Sequence, residues 1–158
     1  MPAQPPAAVE AVVAVDDMLC LALHTAARSM TARYRPALAA LGLTYPQYLV
    51  MVLLWQEGEA SVGRIGSRLG LESSTLSPLL KRLEAAGLVT RVRSRTDERS
   101  VTVALTDRGS SMRAEAAHLP AEVCEQAGLD EGTQADLVVR LRALVEQLER
   151  SGSATRPA

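Results

Sequence analysis

Cysteine is scarce in this chain, with two in 158 residues. That is too few, and Cys20 and Cys124 are too far apart, for a disulfide scaffold. In a reducing cytosol the ordinary state of such a pair is two thiols. Neither belongs to a CxxC motif or sits in a His/Cys cluster, so no metal and no cofactor are expected. Long hydrophobic runs are missing too. The longest apolar stretch, Tyr48 to Trp55, falls far short of the ~20 residues that span a bilayer, which argues against a membrane role. The opening MPAQPPAAVE has no basic region ahead of an apolar run, so it does not read as a signal peptide, and a soluble, cytoplasmic protein is expected. There is no internal repeat, and the length suits one domain better than two.

A strong overall charge is also absent, the net being −1 at pH 7. The charges are unevenly placed, however. Between Ser61 and Ser100 the basic residues are Arg64, Arg68, Lys81, Arg82, Arg91, Arg93, Arg95 and Arg99, against Glu72, Glu84, Asp97 and Glu98. This segment carries +4 and the rest of the chain −5. It is either a phosphate-contacting surface or a solvated charged face; charge alone does not choose.

The order of elements chooses. Residues 1–12 and 151–158, rich in Ala, Pro, Gly and Ser, are expected to be disordered tails. From Asp16 or Asp17 as N-cap, apolar residues at Leu19, Leu23, Ala26, Met30, Tyr34 and Leu38 predict a long helix ended by Gly42. Thr44-Tyr-Pro-Gln47 resembles a capping box opening a second helix to about Gln56. Ser61 to Leu69 reads as a short amphipathic helix, and Gly70-Leu71 as a turn. Ser73-Ser-Thr75 caps another helix, stopped by Gly87. Two short helices about a glycine turn form a helix-turn-helix pattern. The β-branched runs Leu88–Arg93 and Ser100–Leu105 flank a polar turn and read as a hairpin, or wing. Thr106-Asp107 then caps a helix interrupted at Pro120, and Asp130 caps a last amphipathic helix to about Arg150.

The fold class expected is mainly α with a small β-wing, a winged helix-turn-helix. The second helix of the pair would enter a major groove of double-stranded DNA. Its first turn offers Ser73, Ser74, Thr75 and Ser77 to phosphates or base edges, although Ser73 can equally serve as a cap. Arg82 would meet a phosphate or a base. On the wing, Arg91 and Arg93 lead to a tip where Arg95 and Arg99 can enter the minor groove, with Asp97 orienting Arg99.

Cys20, among Leu19, Leu21 and Leu23, is by default an inert core thiol. Its place in the first turn of a helix favours thiolate, while Asp16 and Asp17 oppose it, so local sequence leaves its reactivity open. Tyr34, Tyr45 and Tyr48 are the three tyrosines, available as hydroxyl donors or as ordinary packing.

The runs Leu83-Glu-Ala-Ala-Gly-Leu-Val-Thr-Arg91, Asp97-Glu-Arg99 and Ala104-Leu-Thr-Asp-Arg-Gly109 resemble the MarR family of regulators over residues 15 to 150. That resemblance implies an obligate homodimer with interlocked N- and C-terminal helices, dimerisation helices at 15–41 and 106–150, and a DNA-binding lobe at 44–105. Two lobes would read a pseudo-palindromic operator. Met18-Leu-Cys-Leu-Ala-Leu23, Met30-Thr-Ala-Arg-Tyr34, Leu43-Thr-Tyr-Pro-Gln-Tyr48 and Thr75-Leu-Ser-Pro-Leu-Leu-Lys-Arg82 resemble the organic hydroperoxide resistance subgroup, OhrR. There the first-helix cysteine, here Cys20, is the peroxide-reactive thiol. Two tyrosines, matching Tyr34 and Tyr45, hydrogen-bond it from the partner chain. His24 stands where some members carry another tyrosine. A second late cysteine, matched by Cys124, implies the two-cysteine type, in which an intersubunit disulfide releases DNA. The implied function is a peroxide-sensing repressor with organic hydroperoxide as inducer. The alternative on the same fold is a MarR-type repressor answering a phenolic or drug-like ligand with silent cysteines. A thiol peroxidase would need a redox fold and a recycling partner; neither is visible, so no enzyme is expected.

Overall fold

The computed structural model describes residues 13–93 and 101–153. A 3-10 turn, Val15–Asp17, precedes helix α1, Leu19–Ala40. Asp16 and Asp17 lie in that turn and do not cap α1; Met18 is the N-cap and makes no side-chain capping bond. Acidic residues before an apolar run are a helix-start signal, and here the chain spends them one turn early. At Gly42, φ +70 turns the chain. Helix α2, Tyr45–Glu57, then opens on the capping box, in which the Thr44 N–H donates to Gln47 Oε1 at 2.8 Å.

Strand β1, Glu59–Ser61, was not legible in the sequence, because three residues are too few to show alternation. Helix α3, Val62–Leu69, is capped by the Ser61 hydroxyl, which accepts from the Arg64 N–H. Gly70 takes the left-handed conformation, φ +63, that closes the tight turn, and α4 runs Ser73–Ala85. Its N-cap is Glu72 rather than Ser73, which is already helical and caps nothing. Strands β2, Val89–Arg93, and β3, Val101–Leu105, pair antiparallel from Val89 opposite Leu105 to Arg93 opposite Val101. β1 adds on the far side of β3, giving the order β1-β3-β2.

The stretch expected to be one helix broken at Pro120 is three short ones: α5 Asp107–Ser111, α6 Arg113–Ala116 and α7 Leu119–Gln126. The breaks precede Pro120, which sits in the first turn of α7, where its missing N–H costs nothing. Helix α8, Glu131–Ser153, is capped by Asp130, whose Oδ1 accepts from the Thr133 N–H at 2.9 Å. It runs three residues past the expected end. No single described helix is long and apolar enough to cross a membrane.

The core lies between α2, α3, α4 and the sheet, and continues to α1 and α7. Val50, Met51, Leu54, Ile65, Leu76, Leu80, Leu83, Leu88 and Val103 are sealed inside it. The two MarR-like motifs meet at its edge. The Thr106 hydroxyl donates to the Gly87 carbonyl at 2.7 Å, the Thr106 N–H to the Leu88 carbonyl at 3.1 Å, and Arg108 Nη1 to the Ala86 carbonyl at 3.0 Å. Gly109 completes the joint. A Cβ there would lie 2.0 Å from the Leu88 carbonyl oxygen, so only glycine fits. This is why Leu-Thr-x-x-Gly follows the wing. The joint also fastens α5 to the winged lobe, at the 105/106 boundary expected between lobes.

Candidate functional site

Helix α4 divides cleanly. Leu76, Leu79, Leu80 and Leu83 are buried, while Ser73, Ser74, Thr75, Ser77, Lys81 and Arg82 are exposed. All four hydroxyls and Arg82 therefore lie on the solvent side of the second helix of the pair. The helix N-terminus adds amide N–H groups and the positive end of its dipole, without a side-chain cap.

The basic residues are less equal than their sequence positions imply. The Arg64 guanidinium donates twice to the Glu57 carboxylate, at 2.5 Å and 2.9 Å, and Arg68 approaches the same group at 3.9 Å. Arg91 donates to Glu84 at 2.9 Å and 2.5 Å, joining β2 to the end of α4. These hydrogen bonds hold the Glu57 and Glu84 carboxyls below the ordinary carboxylate range. Arg91 is thus neutralised within the chain. Lys81, Arg82 and Arg93 are exposed and have no acidic partner among the described residues. Arg95, Asp97 and Arg99 lie outside the described residues.

The second constellation sits at the far end of α1. Tyr34 packs against Tyr45 with ring centroids 5.0 Å apart, and against Tyr48 at 5.8 Å; Tyr48 meets Trp55 edge-on at 6.1 Å. Burial, then the neighbouring Tyr45, Tyr48 and Cys124, push the Tyr34 hydroxyl up to about 12, so it is a donor at any physiological pH. Cys124 is buried on α7, which packs on α1, close enough to Tyr34 to act on it electrostatically.

Cys20 is not there. It is exposed in the first turn of α1, 14 positions before Tyr34. At 1.5 Å per residue that is about 21 Å along one helix axis. The four redox residues anticipated from sequence therefore split into a cluster, Tyr34, Tyr45 and Cys124, and a separate Cys20. Tyr48, one of the three tyrosines available as donors, packs its ring behind Tyr34 but turns its hydroxyl away to the Ala116 carbonyl, and Trp55, which sequence reasoning missed, packs on Tyr48. The sequence signal for Trp55 is its helical spacing from Tyr45, ten residues on.

Exposed apolar residues concentrate on the two long helices. Leu19 and Leu21 on α1, and Leu137, Val138, Leu141, Val145 and Leu148 on α8, are open to solvent in the single chain. No residue of α8 is buried over the described part of its 23-residue length. Helices in proteins draw most of their stability from packing an apolar face, and a contiguous apolar stripe left in water marks an interaction surface, so this stripe calls for a cover.

Residues 33–116 match the family model described as transcriptional regulator SarA/Rot. The chain is 45% identical over 145 residues to HTH-type transcriptional regulator TtmR of Methylorubrum extorquens, covering 91% of this chain and 74% of that protein. It is 41% identical over 135 residues to the organic hydroperoxide resistance transcriptional regulator of Bacillus subtilis, covering 85% and 90%. Among solved structures it is similar to AbfR of Staphylococcus epidermidis. Reduced AbfR bound to DNA superposes with a TM-score of 0.70 at 32% identity, covering 82% of this chain and 91% of that one. Disulfide-formed AbfR gives 0.58 at 31%, covering 87% and 90%. The helix-turn-helix, the three-stranded wing sheet and these likenesses agree: the chain belongs to the SarA/Rot-type, MarR-like winged-helix transcriptional regulators, of the OhrR kind.

Proposed function

We propose that this regulator is a homodimeric, peroxide-sensing repressor of the two-cysteine type. The observation that carries the reading is the separation of Cys20 from the Tyr34–Tyr45–Cys124 cluster. A disulfide needs its Cα atoms within about 7 Å. Within one chain the two cysteines are at opposite ends of α1, so Cys20 has its tyrosines and its resolving thiol only in a second copy. The apolar stripes of α1 and α8 support that copy, since a dimer built on them covers both. In this arrangement residues 15–41 and 106–150 dimerise, and residues 44–105 bind operator DNA through α4 and the wing.

The chemistry balances without further cofactors. The Cys20 thiolate attacks the outer oxygen of an organic hydroperoxide, the O–O bond breaks, and the alkoxide leaves as an alcohol with a proton from solvent. The resulting sulfenic acid is attacked by the Cys124 thiolate of the other protomer; an S–S bond forms, the S–O bond breaks, and hydroxide leaves as water with a second proton from solvent. Two electrons from a thiol reductant reverse it. Leu19, Leu21 and Leu23 around Cys20 favour apolar peroxides over hydrogen peroxide. Drawing the thiols together turns the DNA-binding lobes and spoils their match to major grooves ~34 Å apart.

The test is a DNA-mobility assay on the chain's own upstream region with cumene hydroperoxide, followed by dithiothreitol, and a non-reducing gel beside it. The wild type is expected to lose the shifted band as a disulfide-linked dimer appears, and to regain it on reduction. Cys20→Ser should stay bound throughout. Cys124→Ser should form no linked dimer. Binding that survives oxidation in the wild type would overturn the reading. Release by a phenolic inducer in Cys20→Ser would instead favour the ligand-responsive alternative.

A further inference from the structure

We propose that the Tyr48 hydroxyl is the tie through which movement of the Cys124 segment reaches the DNA-binding lobe. The inference rests on the redox reading above and adds a positioning residue to it. Tyr48, on α2, is 2% exposed, and its hydroxyl donates to the Ala116 carbonyl at 3.0 Å, across 68 positions of sequence. Ala116 ends α6 and is fully buried. Helix α7 begins three residues later and carries Cys124. The remaining residues of α6, Arg113, Ala114 and Glu115, are exposed, so this helix is held mainly at Ala116.

The other end of the tie is equally firm. Seven residues, or two turns, along α2, Trp55 Nε1 donates to the Gly109 carbonyl at 2.8 Å. Gly109 presses on Leu88, the residue before β2, at a distance that admits no side chain. Helix α2 also packs on α3 and α4. Helix α2 thus grips the α5–α7 segment at two carbonyls, one shortly before the helix that carries Cys124 and one at the joint with Leu88. If Cys124 is drawn toward a second chain, α7 shifts on α1 and the Ala116 carbonyl pulls on α2, carrying α3 and α4 with it. A buried carbonyl that loses its donor finds no water, so breaking the tie costs energy and the two parts move together. Without the hydroxyl, α7 moves alone.

The experiment compares wild type with Tyr48→Phe, which keeps the ring and removes the donor. DNA affinity is measured for reduced and oxidised protein, and disulfide formation is read separately on a non-reducing gel. Tyr48→Phe is expected to form the disulfide like the wild type. Its loss of affinity on oxidation should shrink by about tenfold, the share of the coupling that one buried hydrogen bond carries. A linked Tyr48→Phe dimer that releases DNA as fully as the wild type overturns the tie and leaves the sensor reading standing. No disulfide in the oxidised wild type overturns both. If Tyr48→Phe does not fold, amide hydrogen exchange on the wild type decides. Oxidation should change protection in α2 as well as α7, and a change confined to α6 and α7 overturns the tie.

Discussion

Single atoms carry several of the functional distinctions in this protein. The missing Cβ of Gly109 lets α5 lie against Leu88, and Gly109→Ala would force it into a backbone carbonyl that cannot yield cheaply. Overpacking of this kind costs about 3 kcal/mol, which lowers Tm by roughly 10 °C for a chain this size. Thermal unfolding followed by circular dichroism checks it, and an unchanged Tm would contradict the close approach. Tyr34 supplies a pH signature. Its hydroxyl titrates near 10.0 when unfolded and at about 12 when folded. An acid whose folded value is raised is neutral in both states below about pH 10 and ionises first in the unfolded chain above it. Its stabilising contribution is therefore whole below pH 10 and is lost as pH rises through 12. Denaturant melts at pH 8, 10 and 11.5 should show stability falling only in the upper interval. Burial raises Tyr45 and Tyr48 as well, so tyrosinate absorbance in the folded protein should lag that of free tyrosine.

Among the elements, α4 and the wing strands show what a count of charges conceals. Arg91 and Arg93 are two residues apart on β2, yet Arg91 is spent on Glu84 and Arg93 is open. Each phosphate contact contributes about 0.9 to the salt dependence of DNA binding. Arg93→Ala is therefore expected to flatten the plot of log affinity against log salt by about 0.9 per protomer, and Arg91→Ala to leave its slope nearly unchanged. Equal changes in both variants would mean that the Glu84 pair opens on DNA. The sequence was legible here wherever the signal is local. The capping box at Thr44, the Gly70 turn and the Thr106 and Asp130 caps all stand where local signals placed them. It misled where one local signal had two uses. Asp16 and Asp17 terminate a 3-10 turn, Ser73 is a helical residue behind Glu72, and the short β1 exists only because β3 is there to pair with it.

At the scale of the whole molecule the decisive feature is a long helix with no buried side chain among the described residues. Leu137, Leu141, Val145 and Leu148 recur every three or four positions on α8 and stand exposed. A homodimer built on this stripe predicts that Leu141→Asp with Val145→Asp sediments as a monomer and loses operator affinity by several orders of magnitude, since one lobe reaches only a half-site. A dimer that persists would move the interface elsewhere. The helix-turn-helix, the hairpin after it and the long flanking helices were legible from the residues alone, because those patterns follow from side-chain spacing between near neighbours; the roles expected of Cys20, Tyr34 and Tyr45 came only from resemblance. The tertiary structure alone decided which arginines pair with a carboxylate, which cysteine of the chain lies near Tyr34 and what Gly109 must clear. Those contacts join residues from 7 to 90 positions apart, and only the packing of α4 on β2, of α1 on α7 and of α5 on the residue before β2 brings them together.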